Sequence, residues 1–289
     1  MRDEVICLKK YINEEDYKKI NELKNLCSDG DINLKLELDY KLNIKKEYNI
    51  PLEDMNEFLY YADDDLIGYL GICCFGGNTA ELTGMVHPKW RRKNIFTKLY
   101  KLAIEECKKL KAEKILLVCD NKSSSGLEFI KSLGAEYSFS EYGMKLENNN
   151  AIEEKAFVNL RKALNSDGKE ISRQNSIYFS SQGEKEVFPE EEEKYNSITY
   201  MIELKGRIIG KIRTDLNGNS AFIYGFGILP EYRGQGYGRE TLETTLVLLK
   251  KHEITTVGLE VAAENSRALN LYKSCGFVEE NVMDYFKVK

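Results

Sequence analysis

"LPEYRGQGYGRETLETTL" spans Leu229–Leu246 and sets Gly234, Gly236 and Gly238 at every second position. Before it, "SAFIYGFGIL" (Ser220–Leu229) reads as a strand. After it, Leu242, Leu246 and Leu249 recur at helical spacing. The glycines therefore stand at a strand-to-helix junction. Such a junction leaves unpaired backbone N–H groups at the helix start, and with the helix dipole they form an anion site. Glycine lets the backbone approach a ligand closely and adopt positive φ. Arg233 and Arg239 flank the loop and add charge-assisted bonds for phosphate. The spacing matches neither the Walker loop nor the dinucleotide fingerprint. The competing reading is a merely flexible loop.

Working outward, "HPKWRRKNIFTKLYKLAI" (His87–Ile104) has the same outline without the glycines. Arg91 and Arg233 are 233 − 91 = 142 positions apart. The same offset pairs Gly68 with Gly210, Gly76 with Gly218 and Pro88 with Pro230. It also pairs Lys131, Ser132 and Gly134 with Lys273, Ser274 and Gly276. Turn residues and a short motif in one register imply two copies of one domain. We divide them at the "ENNN" stretch, Glu147–Asn150, into residues 1–148 and 149–289. The length suits two domains. The alternative is one large domain with coincidental spacing.

Both copies read alike. In the second, "AFVNLRKAL" (Ala156–Leu164) is a first strand, followed by a helical region with an acidic loop. "SITYMIEL" (Ser197–Leu204) and "RIIGKIRTDL" (Arg207–Leu216) are strands joined at Lys205-Gly206. "NGN" (Asn217–Asn219) is a hairpin turn. A helix over about 238–251 leads to a buried strand, "TTVGLEV" (Thr255–Val261), then a short helix over Asn265–Cys275 that Gly276 ends. A final strand starts at Phe277. The fold class is α/β (α+β): two tandem domains, each a mixed twisted sheet flanked by helices.

Composition excludes several classes. A hydrophobic share of 42% supports real cores, and a net charge of −5 argues against nucleic acid as the main partner. Long apolar runs and a signal-like start are lacking, so the expectation is a cytoplasmic protein without membrane contact. The seven cysteines form no C-x-x-C pair and read as reduced thiols. Cys73 and Cys74, being adjacent, should point to opposite faces of a strand. With two histidines, His87 and His252, in different halves, neither a zinc site nor a histidine triad is expected.

Downstream of the loop, "LEVAAENSRALNLYKSCGF" runs from Leu259 to Phe277. The pattern Arg233-x-x-Gly236-x-Gly238, then Asn265, Ala268, Leu271-Tyr272 and Gly276-Phe277, resembles the GNAT superfamily of acetyl-CoA-dependent N-acetyltransferases. The resemblance covers the second half and reaches the first through the repeat. It implies acetyl-CoA as co-substrate, with the pyrophosphate held by the N–H groups of Gly234, Gln235, Gly236, Tyr237, Gly238 and Arg239. It implies that the preceding strand splays from its neighbour, so that backbone around Ile228 binds pantetheine and polarises the thioester carbonyl. Asn265 would reach the pantetheine arm; it is also a natural helix N-cap. Tyr272 would be the general acid for the departing thiolate; otherwise it is a core aromatic. Glu260, in a Leu-Glu-Val triplet twelve residues earlier, resembles the glutamate with which the N-terminal-amine acetyltransferases of ribosomal proteins remove an amine proton through water. Otherwise it is a structural residue at a sheet edge. The amine would attack directly, with no acyl-enzyme and no metal.

In the first copy Gly234, Gly236 and Gly238 become Arg92, Asn94 and Phe96; Tyr272 becomes Ile130, Glu260 becomes Val118 and Asn265 becomes Ser123. Asn94 still suits left-handed angles. The first copy thus reads as a degenerate, non-catalytic domain and the second as the catalytic one, a layout similar to tandem members such as mycothiol synthase. "PEEEEKYN" (Pro189–Asn196) would wall the acceptor pocket and suit a cationic small-molecule or peptide amine, although such runs are more often solvated surface. Trp90 and Tyr232 read as packing residues beside the two loops. The rival function is a non-catalytic acyl-CoA-binding sensor or regulatory module.

Overall fold

The structure, a computed structural model, describes residues 3–28, 32–44, 55–74, 78–147, 157–179 and 187–289. Gly76 and the 148/149 boundary lie outside the described residues. The chain forms two compact units. One comprises Met1–Ser140 with Met283–Lys289, the other Glu141–Val282. These units differ from a single cut at 148/149, because the last strand of each half is shared out.

The first unit contains β1 (Glu4–Lys9), α1 (Glu14–Cys27), α2 (Leu38–Ile44), β2 (Glu57–Ala62), β3 (Asp65–Cys73), β4 (Thr79–Val86), α3 (Ile95–Lys109), β5 (Lys114–Asp120) and α4 (Ser124–Ser132). β6 (Glu136–Leu146) begins in it. Its strands lie in the order β1-β2-β3-β4-β5, with β4 parallel to β5 and the other neighbours antiparallel. Beside β5 lies the end of β12 (Phe277–Lys287), in antiparallel register from Met283↔Asp120 to Lys287↔Leu116. Tyr285 stacks on Phe139 at 4.3 Å.

The second unit repeats this with β7 (Val158–Lys162), α5 (Gly168–Phe179), α6 (Pro189–Glu193), β8 (Ser197–Leu204), β9 (Arg207–Asn217), β10 (Ser220–Ile228), α7 (Tyr237–Lys251), β11 (Thr256–Ala262) and α8 (Ser266–Ser274). Here the end of β6 closes the order, pairing antiparallel with β11 from Lys145↔Gly258 to Glu141↔Ala262. The helices α3 and α7 start 237 − 95 = 142 residues apart, as do β5 and β11, and α4 and α8. The repeat is structural.

Alternation along the strands buries side chains on both faces of each unit's sheet. In the second, Tyr200 and Ile202 of β8 join Val257, Leu259 and Val261 of β11 against Leu242, Leu246 and Leu249 of α7. Met201, between them in sequence, faces Ile171 of α5 on the opposite side. Each aliphatic side chain fully buried in this way contributes about 1.5–3 kcal/mol. Cys73, the last residue of β3, is buried, and Cys74, just beyond the strand, is exposed. No helix among the described residues is long and apolar enough to cross a membrane.

Candidate active site

β10 and β11 pair in parallel only from Ser220↔Thr256 to Ile223↔Leu259. Both strands then continue, β10 to Ile228 and β11 to Ala262, outside that register. A gap bordered by backbone polar groups opens between them, and it leads to the glycine loop. After a single turn over Pro230–Tyr232, Gly234 takes φ +75° and Gly236 φ +89°, and α7 starts at Tyr237. These left-handed angles favour glycine at both positions. A Cβ on either would meet no atom within 4 Å, so the constraint is conformational. Gly238 lies inside the helix, where a Cβ would make ordinary contacts with Leu271 and Ile228. No side chain caps α7, whereas α8 is capped by Asn265, whose Oδ1 accepts from Ala268 N at 3.1 Å. The first-turn N–H groups of α7 thus stay available for an anion.

The two arginines are engaged elsewhere. Arg233 donates from Nε to the Ile228 carbonyl at 2.7 Å, and its guanidinium lies 5.9 Å from the Tyr178 ring. Arg239 donates to the Ser274 carbonyl at 3.2 Å and to Ser274 Oγ at 2.7 Å, tying the start of α7 to the end of α8. Gln235 donates to the Glu231 carbonyl at 3.2 Å. A groove of about 380 Å³ borders the loop, lined by Phe157, Gln235, Gly236, Tyr237, Arg239 and two carboxylates, Glu240 and Glu243. The two carboxylates add negative charge to this groove, while the loop N–H groups and Arg239 border it too. Glu240 accepts from Phe157 N and Val158 N at 2.6 and 2.9 Å.

Tyr272 is 8% exposed, in the core formed with Leu259 and Val261, edge-on to Phe277 at 6.1 Å. Burial pushes its phenol up to about 12. Glu260 is half-buried on β11 and paired in register with Gly143 of β6. By alternation it projects to the face opposite Leu259 and Val261, the face that carries α5.

Two features of that face escaped the sequence reading. β10 slips register between Tyr224 and Gly227: Tyr224 opposes Arg213 and Gly227 opposes Lys211, so Gly225 and Phe226 bulge against Ile212 alone. Gly225 takes φ +58°. Lys211, 3% exposed, donates from Nζ to the Gly225 carbonyl at 2.9 Å. Burial, with Arg213 adding, pulls its amine down to about 8. Its Nζ lies 5.6 Å from the Phe179 ring and 6.0 Å from Tyr178. The signals were present: a lysine inside an apolar strand, and a glycine inside another, which often marks a bulge. The four glutamates of α6 are all engaged. Glu190 accepts from Asn165 N, Glu191 pairs with Lys194, Glu192 with Arg213 and Glu193 with Lys162.

The profile of the Acetyltransferase (GNAT) family matches the chain twice, over residues 20–135 and 168–277. The chain belongs to the GNAT acetyltransferase family. Over 85 residues it is 31% identical to the ribosomal protein bS18-alanine N-acetyltransferase of Escherichia coli, covering 29% of this chain and 57% of that enzyme. Over 57 residues it is 42% identical to the spermidine N(1)-acetyltransferase of Vibrio cholerae, 18% of this chain and 31% of that one. The chain thus spans little more than half the length of the first of these relatives. In fold it is similar to a GCN5-related N-acetyltransferase from Sphaerobacter thermophilus: TM-score 0.76, 16% identity, 98% of this chain and 95% of that one. It is also similar to a tandem GNAT protein from the clavulanic acid biosynthesis pathway: TM-score 0.69, 14% identity, 99% and 98% coverage.

The first GNAT unit keeps the frame and alters the fittings. β4 and β5 also part after Leu82↔Leu117. Arg92 and Asn94 take φ +66° and +60°, reproducing the loop with non-glycine residues. Arg91 donates to the Val86 carbonyl at 3.2 Å, copying Arg233. Phe96, at the position of Gly238, sets its ring edge-on to Phe129 of α4 at 4.9 Å and borders Gly84 of β4. Its bulk thus lies between the helix start, α4 and the strand. Ile130 is buried where the second unit has Tyr272. No bulge interrupts β3 and β4: the register runs without a slip from Gly68↔Val86 to Cys73↔Glu81. At the position of Lys211 stands Tyr69, which donates to Glu57 at 2.5 Å while Lys41 reaches the same carboxylate at 3.0 Å, all three buried.

Proposed function

We propose that the second unit moves an acetyl group from acetyl-CoA to a primary amine by direct attack. The observation that carries this reading is the asymmetry between two frames with the same order of elements. Both have parted strands and a left-handed loop, but only the second joins these to two loop glycines, a strand bulge and a tyrosine on the short helix. N–H groups of Gly234 to Arg239 hold the pyrophosphate, as an uncapped helix start suits. Arg233 holds the loop against β10, and Arg239 holds α7 against α8. Pantetheine pairs with β10 beyond Ile223, and Asn265 offers it Nδ2, since only Oδ1 is used by the cap.

In the reaction the amine lone pair attacks the thioester carbon. The carbonyl oxygen becomes an oxyanion, met by a backbone N–H of β10. The C–S bond then breaks, and the sulfur takes the Tyr272 proton. Tyr272 is an acid weakened by burial, but the nascent thiolate sits in the same apolar surroundings and is made more basic there. The amine gives up its proton through water to Glu260, and the first unit serves as a non-catalytic frame. The α6 glutamates are already engaged, so the acceptor is proposed by class alone, a primary amine.

The test is a panel of amines, including peptides with N-terminal alanine and spermidine, with product read by mass spectrometry. An acetylated amine formed at the wild-type rate in a Gly236→Val variant would refute the assignment of the second unit. Acetyl-CoA binding with no product from any amine would favour an acyl-CoA sensor.

A further inference from the structure

Lys211 is buried and, among the described residues, makes no ion pair with a carboxylate. Burying an ammonium is costly unless it is paired and hydrogen-bonded, and its hydrogen bond goes to a backbone carbonyl in the β10 bulge. The groups that face it are Tyr178 and Phe179 of α5, Arg213 of its own strand and Glu192 of α6. Glu192 is itself held by Arg213 at 3.0 Å.

The contact acts on a particular peptide. Gly225 and Phe226 lie outside both registers of β10, since pairing with β9 jumps from Tyr224 to Gly227 and pairing with β11 ends at Ile223. No peptide bond here is cis. In a planar trans peptide the C=O and the next N–H point in opposite directions. With the Gly225 oxygen held toward Lys211, the N–H of Phe226 points away from it. We infer that Lys211 is a positioning residue: it holds the bulge peptide so that the Phe226 N–H faces the gap between β10 and β11 and receives the thioester oxygen. This inference rests on the reading of the second unit as a transferase.

The first unit supplies the contrast. Its β3 and β4, the counterparts of β9 and β10, pair without a bulge, and its counterpart of Lys211 is Tyr69, committed to Glu57 and Lys41. At this strand pair, bulge and lysine occur together in the second unit and are both missing from the first. A Cβ on Gly225 would stand 3.1 Å from Lys211 Nζ at a φ that side chains rarely adopt, so the contact also fixes the glycine.

The experiment compares wild type, Lys211→Met, Lys211→Arg and Gly225→Ala. Acetyl-CoA and CoA affinities are measured by calorimetry without an acceptor, and kcat and KM with the best amine of the panel. An N–H aimed at the thioester oxygen adds affinity for acetyl-CoA over CoA. Lys211→Met should abolish that preference, leave CoA affinity within twofold and lower kcat at least tenfold with little change in amine KM. Lys211→Arg should restore most of the loss, and Gly225→Ala should reproduce the defect from the other partner. A Lys211→Met protein that keeps both the preference and kcat overturns the inference. So does a Gly225→Ala protein that keeps both, should the methionine variant fail to fold. If the wild type acetylates nothing, the transferase reading fails, while the acetyl-CoA preference still decides the role of Lys211.

Discussion

The Nε of Arg233 lies 2.7 Å from the carbonyl oxygen of Ile228, and the Nε of Arg91 lies 3.2 Å from that of Val86, the same bond one repeat earlier. Each arginine clamps its loop to the strand that leads into it. This use of Arg233 differs from direct phosphate contact, and it changes what its removal should do. Arg233→Ala should lower coenzyme affinity by loosening the N–H cradle, with a stability loss of at most about 1 kcal/mol for an exposed residue. Arg91→Ala should cost similar stability and spare turnover. Thermal melts and kinetics on the matched pair check this; equal loss of turnover in both would point to two working sites.

Tyr272→Phe should reduce kcat by about 10²-fold, the scale of acid–base catalysis, with coenzyme affinity unchanged. Steady-state kinetics beside CoA calorimetry separates the two. Normal turnover in the folded variant would remove Tyr272 from the mechanism.

The same residue makes a pH prediction. Its folded phenol titrates near 12, above the unfolded value near 10. Between these values the unfolded chain has lost the proton and the folded one keeps it, so stability falls as pH rises. Tyr69, Tyr178 and Tyr224 are raised by burial too and act in the same direction. Urea melts from pH 9 to 11.5 should show Tyr272→Phe losing less stability over that range than wild type. An identical slope would contradict the burial of this phenol.

Ile130 is 5% exposed in the first unit's core. Ile130→Ala should cost about 2–5 kcal/mol by leaving a cavity, with kcat preserved in the fraction that stays folded. A drop in kcat without a drop in stability would assign the first unit a part in the chemistry.

Much of this was legible because the informative residues act locally. The glycines and Asn94 declare left-handed backbone, Asn265 declares a cap, and the alternation of β11 separates Leu259 from Glu260. Two things were hidden for a physical reason. β6 and β12 are equivalent strands whose ends complete different units, and alternation fixes which side chains face a core but not which neighbour a strand joins. The bulge at Gly225 shifts pairing by one residue without breaking the repeat of the sequence. Lys211 becomes meaningful only when that shift brings a carbonyl to its Nζ. The first-unit triad of Lys41, Glu57 and Tyr69 was equally unreadable, because it joins residues from three elements.

The most direct test is the stoichiometry of acetyl-CoA binding, measured by calorimetry on wild type, Gly236→Val and Asn94→Val. Both substitutions place a β-branched residue at a left-handed position, one in each loop. The account expects one site per chain, weakened at least about tenfold by Gly236→Val, equivalent to about 1.4 kcal/mol, and unaffected by Asn94→Val in the folded protein. Two equivalent sites, or a single site lost with Asn94→Val and kept with Gly236→Val, would contradict it.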